Sequence, residues 1–150
     1  MQTMAEQATQ TIIIEAAPEL CLQVATDFPS YPDWAVDVKQ AQVLESDEQG
    51  RPIEVEFRAA AMGRSTHYTL RYDYSSAPER LAWKLVAGDL MRGCDGSYQF
   101  RALEGGRTEV IYNLTIELVV PLPGFVKRRA EVRILNTVRE LKTRVESVGD

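Results

Sequence analysis

The stretch that most constrains the fold is the last one, Pro123 to Val148, which has the pattern of a long one-faced helix. Its apolar residues recur at helical spacing along one stripe, and charged residues crowd most of the other faces. Pro121 and Pro123 precede it, where proline favours a helix start, and Gly149 follows at a C-terminal cap position. The stripe consists of Val126, Ala130, Ile134, Val138, Leu141, Val145 and Val148. Such a helix needs an equally long apolar surface, which the upstream residues must supply.

Upstream, the residues predict one strand, two short helices and then six strands. Gln10 to Ala16 is short and β-branched, and a helix opens at Pro18 and runs to about Asp27. The segment 27–34 (DFPSYPDW) sets two prolines among three aromatic rings, which predicts a tight turn into a second short helix ending near Trp34. The six later strands alternate with period 2 at Val38–Glu45, Ile53–Ala61, Thr66–Tyr74, Leu81–Ala87, Ser97–Leu103 and Thr108–Val120, the last being the longest.

The connections decide how these strands pair. Most are short, including a hairpin turn at Met62-Gly63 and another at Gly105-Gly106, so neighbouring strands are expected to be antiparallel. Residues 88–96 hold three glycines and predict an irregular link, with a bulged strand start as the alternative. We therefore predict an α+β fold with a curved seven-stranded antiparallel sheet wrapped around the C-terminal helix. Residues 1–8 are expected to form a flexible tail, and residues 9–150 a single domain.

Charge and composition exclude several classes of protein. The formal charge of −5 and the isoelectric point near 5.0 argue against nucleic-acid binding. No apolar run approaches the length of a membrane span, and Met1 to Gln10 lacks the apolar core of a signal peptide, so we expect a cytoplasmic protein. Cys21 and Cys94 match no metal or redox spacing and are expected to be reduced thiols. With a single histidine, the sequence predicts neither a metal site nor a cofactor.

The order β-αα-β6-α resembles the helix-grip fold of the START/Bet v 1 (SRPBCC) superfamily. Four segments sharpen the resemblance toward its polyketide cyclase/dehydrase-like branch: Ala17-Pro18, residues 27–34, Gly96-Ser97-Tyr98, and residues 121–127 (PLPGFVK). It covers nearly all of residues 10–148. Because these motifs mark turns and helix starts, they are specific for the fold and weak for an activity.

A curved sheet gripping one helix leaves space that aliphatic side chains alone do not fill, which predicts a ligand cavity. Four tyrosines point inward by alternation, either as plain core or as ligand-lining groups whose hydroxyls need partners. The candidate ligand-binding residues are Trp34, Phe57, Tyr68, Tyr72, Trp83, Tyr98, Tyr112, Phe125, Arg129, Ala130, Arg133 and Ile134.

Four cations, Lys127, Arg128, Arg129 and Arg133, lie near the start of the last helix, where they oppose its dipole. They either await an anionic head group at a cavity mouth or form a solvated cluster. Phe125 would then belong to the lip of the mouth or to a small subunit contact.

The residue types that are most often catalytic, histidine and aspartate, give no clear indication of an active site in this sequence. His67 falls on the solvent side of its strand, and Asp27 and Asp33 are typical turn and capping residues. No nucleophile–base pair is visible in the sequence.

We therefore predict a monomer or weak homodimer that binds a hydrophobic small molecule of lipid, polyketide or quinone type. The resemblance supplies the alternative, an aromatase/cyclase acting on a poly-β-ketone chain, with Tyr72, Tyr98, Tyr112 and Arg129 or Arg133 as its polar groups. A third hypothesis is a protein-interaction domain of the ribosome-associated type.

Overall fold

The computed structural model describes residues 5–61, 64–118 and 137–148, and most of them belong to one seven-stranded antiparallel sheet. The strand order is β1-β7-β6-β5-β4-β3-β2, so the first two strands of the chain form the two edges. The antiparallel sheet is as predicted. Its strands are β1 (Ala5–Ile14), β2 (Val38–Ser46), β3 (Pro52–Ala61), β4 (Arg64–Asp73), β5 (Arg80–Gly88), β6 (Met91–Leu103) and β7 (Arg107–Leu118).

Short helices connect the two edge strands. Helix α1 (Pro18–Ala25) starts with proline in its first turn, where the missing N–H costs no hydrogen bond. A 3-10 turn (Phe28–Ser30) and helix α2 (Tyr31–Trp34) follow, because the two prolines cannot continue α1. This is the predicted turn into a second short helix.

The C-terminal helix packs on the inner face of the sheet. In its described part, 137–148, here α3, Val138, Leu141 and Val145 are fully buried and belong to the same core as the strands. Val148 was expected on the same stripe but is 51% exposed, because the last turn extends past the surface that covers Val145. The remainder of the predicted helix, 123–136, lies outside the described residues, as do the other stripe members and the Met62-Gly63 turn.

Polar side chains of α3 attach it to both ends of the α1–α2 connection. The Lys142 Nζ donates to the carbonyl of Ile13 at 2.7 Å and to Glu146 Oε2 at 2.7 Å. That carboxylate also accepts from the backbone N–H of Glu15 at 2.9 Å. At the other end, Glu140 Oε2 accepts from the backbone N–H of Val36 at 2.9 Å. The helix is therefore held by directional bonds in addition to its apolar stripe.

Two strand starts differ most from the prediction. β1 begins at Ala5, so residues 5–8, expected in a flexible tail, pair with β7. Their sequence, AEQA, has no large apolar side chain and therefore showed no apolar alternation. β6 begins at Met91 because its pairing with β7 continues through the glycines, with a register shift between Met91 and Gly93. The irregular link is thus confined to residues 89–90, and the alternative of a bulged strand start is correct. The described part of β7 ends at Leu118, and the predicted strand residues 119–120 lie outside the described residues.

The two ends of the sheet differ in how fully the inner side chains are covered. Three turns, at 47–51, 74–79 and 104–106, lie at the same end of the sheet, which we call the lower end. β6 starts at the opposite end, which we call the upper end. Near the lower end, Ile14, Leu81 and Val110 have no exposed surface. Toward the upper end the inner apolar side chains Tyr68, Leu85, Met91 and Ile116 are only partly buried.

Candidate functional site

Aromatic rings on the inner face form one connected layer. Period-2 alternation places them on this face, and the strand register sets them directly opposite one another in three hairpins. Trp83 joins the second pair to the third, with centroid distances of 5.3 Å to Tyr98 and 6.0 Å to Tyr112. The opposed pairs are Phe57 with Tyr68, Tyr72 with Trp83 and Tyr98 with Tyr112, at 5.2, 5.9 and 5.0 Å between centroids.

The short helices add three rings to this layer. Phe28 lies 4.7 Å from Tyr72 between centroids, and Tyr31 lies 5.9 Å from Phe57. Trp34 contacts Tyr31 at 4.7 Å. Sequence reasoning had selected Trp34 but not the other two. The proline-aromatic segment 27–34 was the available signal, because it brings three rings into a turn that faces the sheet.

The six tyrosines differ in how their hydroxyls are satisfied. Tyr31 donates to the carbonyl of Ala25, and Tyr74 donates to the carbonyl of Pro52 at 2.6 Å. The hydroxyls of the other four, which all lie in the ring layer, have no hydrogen-bond partner among the described residues. These four are Tyr68, Tyr72, Tyr98 and Tyr112. The layer therefore presents polar groups that the described part of the fold does not use.

Trp34 carries a further unused donor. Its indole Nε1 is buried and has no acceptor in the part of the chain that the structure describes. A buried unpaired donor costs about 1–3 kcal/mol, so an acceptor reaching this position would be bound favourably.

Burial sets the protonation state of the layer. It is the main reason that the pKa of each of these phenols lies above its ordinary value of 10.0. Neighbouring phenols raise the pKa of Tyr31 and Tyr72 further. The tyrosines are neutral at physiological pH, so they serve as hydrogen-bond donors and acceptors and not as bases.

Cys94 lies on the same face and is also unreactive. Burial raises the pKa of its thiol to about 12, and this outweighs the lowering of that pKa by the nearby side chain of Trp83. Because the thiolate is the nucleophile, this cysteine is poorly suited to covalent catalysis. Cys21 is likewise a buried free thiol with a raised pKa.

The structure places the remaining candidates apart from the layer. His67 is exposed, with its Nδ1 3.8 Å from Asp89 Oδ2. Asp27 precedes the 3-10 turn without capping it through its side chain, and Asp33 lies in the first turn of α2. Across residues 5–61, 64–118 and 137–148 no group of three His, Cys, Asp or Glu side chains could hold a metal ion. The candidates outside the described residues are Phe125, Lys127, Arg128, Arg129, Ala130, Arg133 and Ile134.

Some of the described residues line a concavity on the outer face of the sheet. It is an open groove of about 630 Å³, lined largely by outward side chains of β4 to β7 such as Arg71, Lys84, Asp95 and Asn113. Charges of both signs and wide exposure to water make it a weaker candidate than the inner layer for an apolar ligand.

Solved structures of other proteins have the same fold as this chain. A START superfamily protein from Mycobacterium smegmatis superposes with a TM-score of 0.86 at 23% identity, covering 95% of this chain and 99% of its own. The protein TTHA0849 from Thermus thermophilus superposes with a TM-score of 0.80 at 21% identity, covering 96% of this chain and 99% of its own. The Zhui aromatase/cyclase from Streptomyces sp. R1128 superposes with a TM-score of 0.78 at 14% identity, covering 95% of this chain and 94% of its own. At these identities the likeness establishes the fold alone.

Sequence comparison adds the family. No protein with a curated functional description matches the chain by sequence. None of the described helices combines the length and apolar character needed to cross a membrane. The family model described as "Polyketide cyclase / dehydrase and lipid transport" matches residues 5–146, nearly the whole chain. The chain therefore belongs to the polyketide cyclase/dehydrase and lipid transport family, and it has the helix-grip fold that its sequence resembles.

Proposed function

We propose that this protein binds a hydrophobic small molecule, of lipid, polyketide or quinone type, between the ring layer of the sheet and the C-terminal helix. Four phenols and one indole N–H without partners among the described residues, set within a continuous aromatic surface, carry the proposal. An apolar surface with a few convergent polar groups is the usual composition of a small-molecule site.

The polar groups assign a chemical requirement to the ligand. Neutral phenols both donate and accept, so they suit carbonyl and hydroxyl groups attached to a largely apolar body. A purely aliphatic ligand would leave them unpaired, at a cost of about 1–3 kcal/mol for each buried group. We propose Trp34, Phe57, Tyr68, Tyr72, Trp83, Tyr98 and Tyr112 as the ligand contacts. Phe125, Arg129, Ala130, Arg133 and Ile134 complete the proposed site from the segment outside the described residues.

The test is native mass spectrometry of protein purified from its own host without detergent. We expect a bound small molecule that is released on denaturation. Apo protein should bind at least one of oleic acid, a short-chain ubiquinone and a hydroxyanthraquinone. The double variant Tyr98→Phe, Tyr112→Phe should bind that probe about tenfold more weakly. The matched control Tyr74→Phe should bind it normally, because that hydroxyl is already bonded to Pro52. An empty protein that binds none of the probes would refute the proposal.

A second candidate function is cyclisation of a poly-β-ketone chain. It is supported by the adjacent phenols of Tyr98 and Tyr112, whose rings lie 5.0 Å apart and could hold two carbonyl oxygens of one chain. Their raised pKa makes them orienting donors and excludes them as bases at neutral pH. Turnover of a poly-β-ketone mimic that disappears in Tyr98→Phe or Tyr112→Phe would favour this function over simple binding.

We propose the cytoplasm as the working compartment, which the two buried free thiols support. We propose a single domain that acts as a monomer or weak homodimer. It includes residues 5–8, which pair with β7 and fall within the family match over 5–146.

A further inference from the structure

Gly96 lies at the centre of the ring layer, and a neighbouring residue fills the space that a side chain at this position would need. It pairs directly with Trp83 across β5 and β6, and this is the last pair of that ladder. A β-carbon built at Gly96 would lie 2.3 Å from Cζ2, 2.5 Å from Cε2 and 2.7 Å from Nε1 of the indole. Carbon atoms pack at about 3.5–4.0 Å, so any side chain at Gly96 would displace the indole by about 1 Å or more.

The indole therefore leans across β6 instead of standing away from the sheet. Leaning brings it against Tyr98 on β6 and Tyr112 on β7, while it keeps its contact with Tyr72 on β4. It also places the indole near the thiol of Cys94, two residues before Gly96. Trp83 is only 6% exposed in this position.

From this geometry we propose that Gly96 and Trp83 together set the depth of the ligand site, and so determine the size of ligand that it accepts. This rests on the proposed function. Gly96 lets the largest side chain of the layer lie low, and the space above it, toward the C-terminal helix, is thereby left for ligand. A larger residue at 96 would raise the indole into that space and select against thick or multi-ring ligands. The Gly96-Ser97-Tyr98 segment, conspicuous in the sequence, thus has a physical role at its first residue.

The test compares two probes of different size, 2-naphthol with two fused rings and 1-hydroxypyrene with four. Dissociation constants are measured by probe fluorescence for the wild type and for Gly96→Ala. The alanine variant should lose about tenfold or more in affinity for 1-hydroxypyrene and much less for 2-naphthol. The matched control is Gly93→Ala on the same strand, where a β-carbon would meet Glu117 Cβ at an ordinary 3.6 Å. It should keep the wild-type preference.

The converse variant keeps the inference testable if Gly96→Ala does not fold. Trp83→Phe removes part of the ring above Gly96 and should strengthen 1-hydroxypyrene binding relative to 2-naphthol. In the double variant Gly96→Ala, Trp83→Phe the wild-type preference should return. Equal changes for both probes in either single variant would overturn the inference while leaving the proposed function intact. If the wild type binds neither probe but binds oleic acid, the ubiquinone or the hydroxyanthraquinone, the inference fails and the proposed function stands. Binding of none of these molecules would contradict both.

Discussion

The lower end of the inner face and the ring layer above it are both largely buried but are built differently. At the lower end the side chains are mainly aliphatic and fully enclosed, as with Ile14, Leu81 and Val110. The buried hydroxyl of Thr108 there donates to the carbonyl of Ala16 at 2.6 Å. In the ring layer the side chains are aromatic, and four hydroxyls are unpaired among the described residues.

This difference separates two tasks within one core. Enclosed aliphatic groups and satisfied polar groups contribute stability, because little free energy remains to be gained there by binding anything. Unpaired polar groups on an apolar surface do the reverse, since they leave free energy to be recovered when a ligand arrives. Stability and binding should therefore respond to different substitutions.

The largest expected effect is alkaline unfolding, which tests the burial of the rings. All six tyrosines have a pKa raised above 10.0, chiefly by burial, so the folded state keeps protons that the unfolded state releases. Their contribution is fully present below about pH 10 and is lost as the pH rises, on the order of 8 kcal/mol per pH unit for six groups. Far-UV circular dichroism and tyrosinate absorbance should change together in one steep transition. Tyrosinate formation well before loss of structure would contradict the raised pKa values.

The next effect separates stability from binding at the enclosed end. Leu141→Ala removes a fully buried side chain of α3 and should lower the free energy of unfolding by about 2–5 kcal/mol. Val148→Ala on the same helix is the matched control. Because Val148 is 51% exposed, its loss should change stability by less than about 0.5 kcal/mol. Urea denaturation measures both, and similar costs for the two variants would show that the helix does not pack as described.

The smallest effect is the sharpest comparison, because it deletes one oxygen atom. Tyr74→Phe removes a hydroxyl bonded to Pro52 and should cost about 1 kcal/mol. Tyr112→Phe removes one with no partner among the described residues and should leave stability within about 0.5 kcal/mol of the wild type. Thermal or urea unfolding without ligand gives both values. A larger loss for Tyr112→Phe would mean that its hydroxyl serves the fold and not a ligand.

Much of this architecture follows from the sequence, because period-2 alternation indicates both where the strands lie and on which face of the sheet their rings lie. The three opposed pairs in the layer come from residues that share one parity on each strand, so that Phe57, Tyr72 and Tyr98 could all be placed inward from pattern alone. The antiparallel pairing of successive strands followed from short turns. Helix α2 ending at Trp34 followed from two prolines that cannot sit inside a longer helix.

The features that could not be predicted from the sequence also have definite physical causes. Residues 5–8 and the start of β6 are held by backbone pairing with β7, to which side-chain patterns are blind. Tyr31 joins the ring layer because of how the turn folds back, a tertiary fact. The contact of Trp83 with Gly96 depends on the register between two strands and on a side-chain rotamer, and neither can be obtained from one strand alone.

The hydrogen bonds from α3 to the α1–α2 connection have a consequence for the order in which the molecule is made. Glu15 is joined to Glu146, 131 residues later in the chain, and among the described strands the edge strand β1 pairs with β7 alone. A nascent chain emerging from the ribosome can form the hairpins from β2 to β6, but β1 has no partner among the described strands until β7 has been synthesised. Contacts so distant in sequence make this pairing a late step, and a product truncated before β7 would leave β1 without its partner strand.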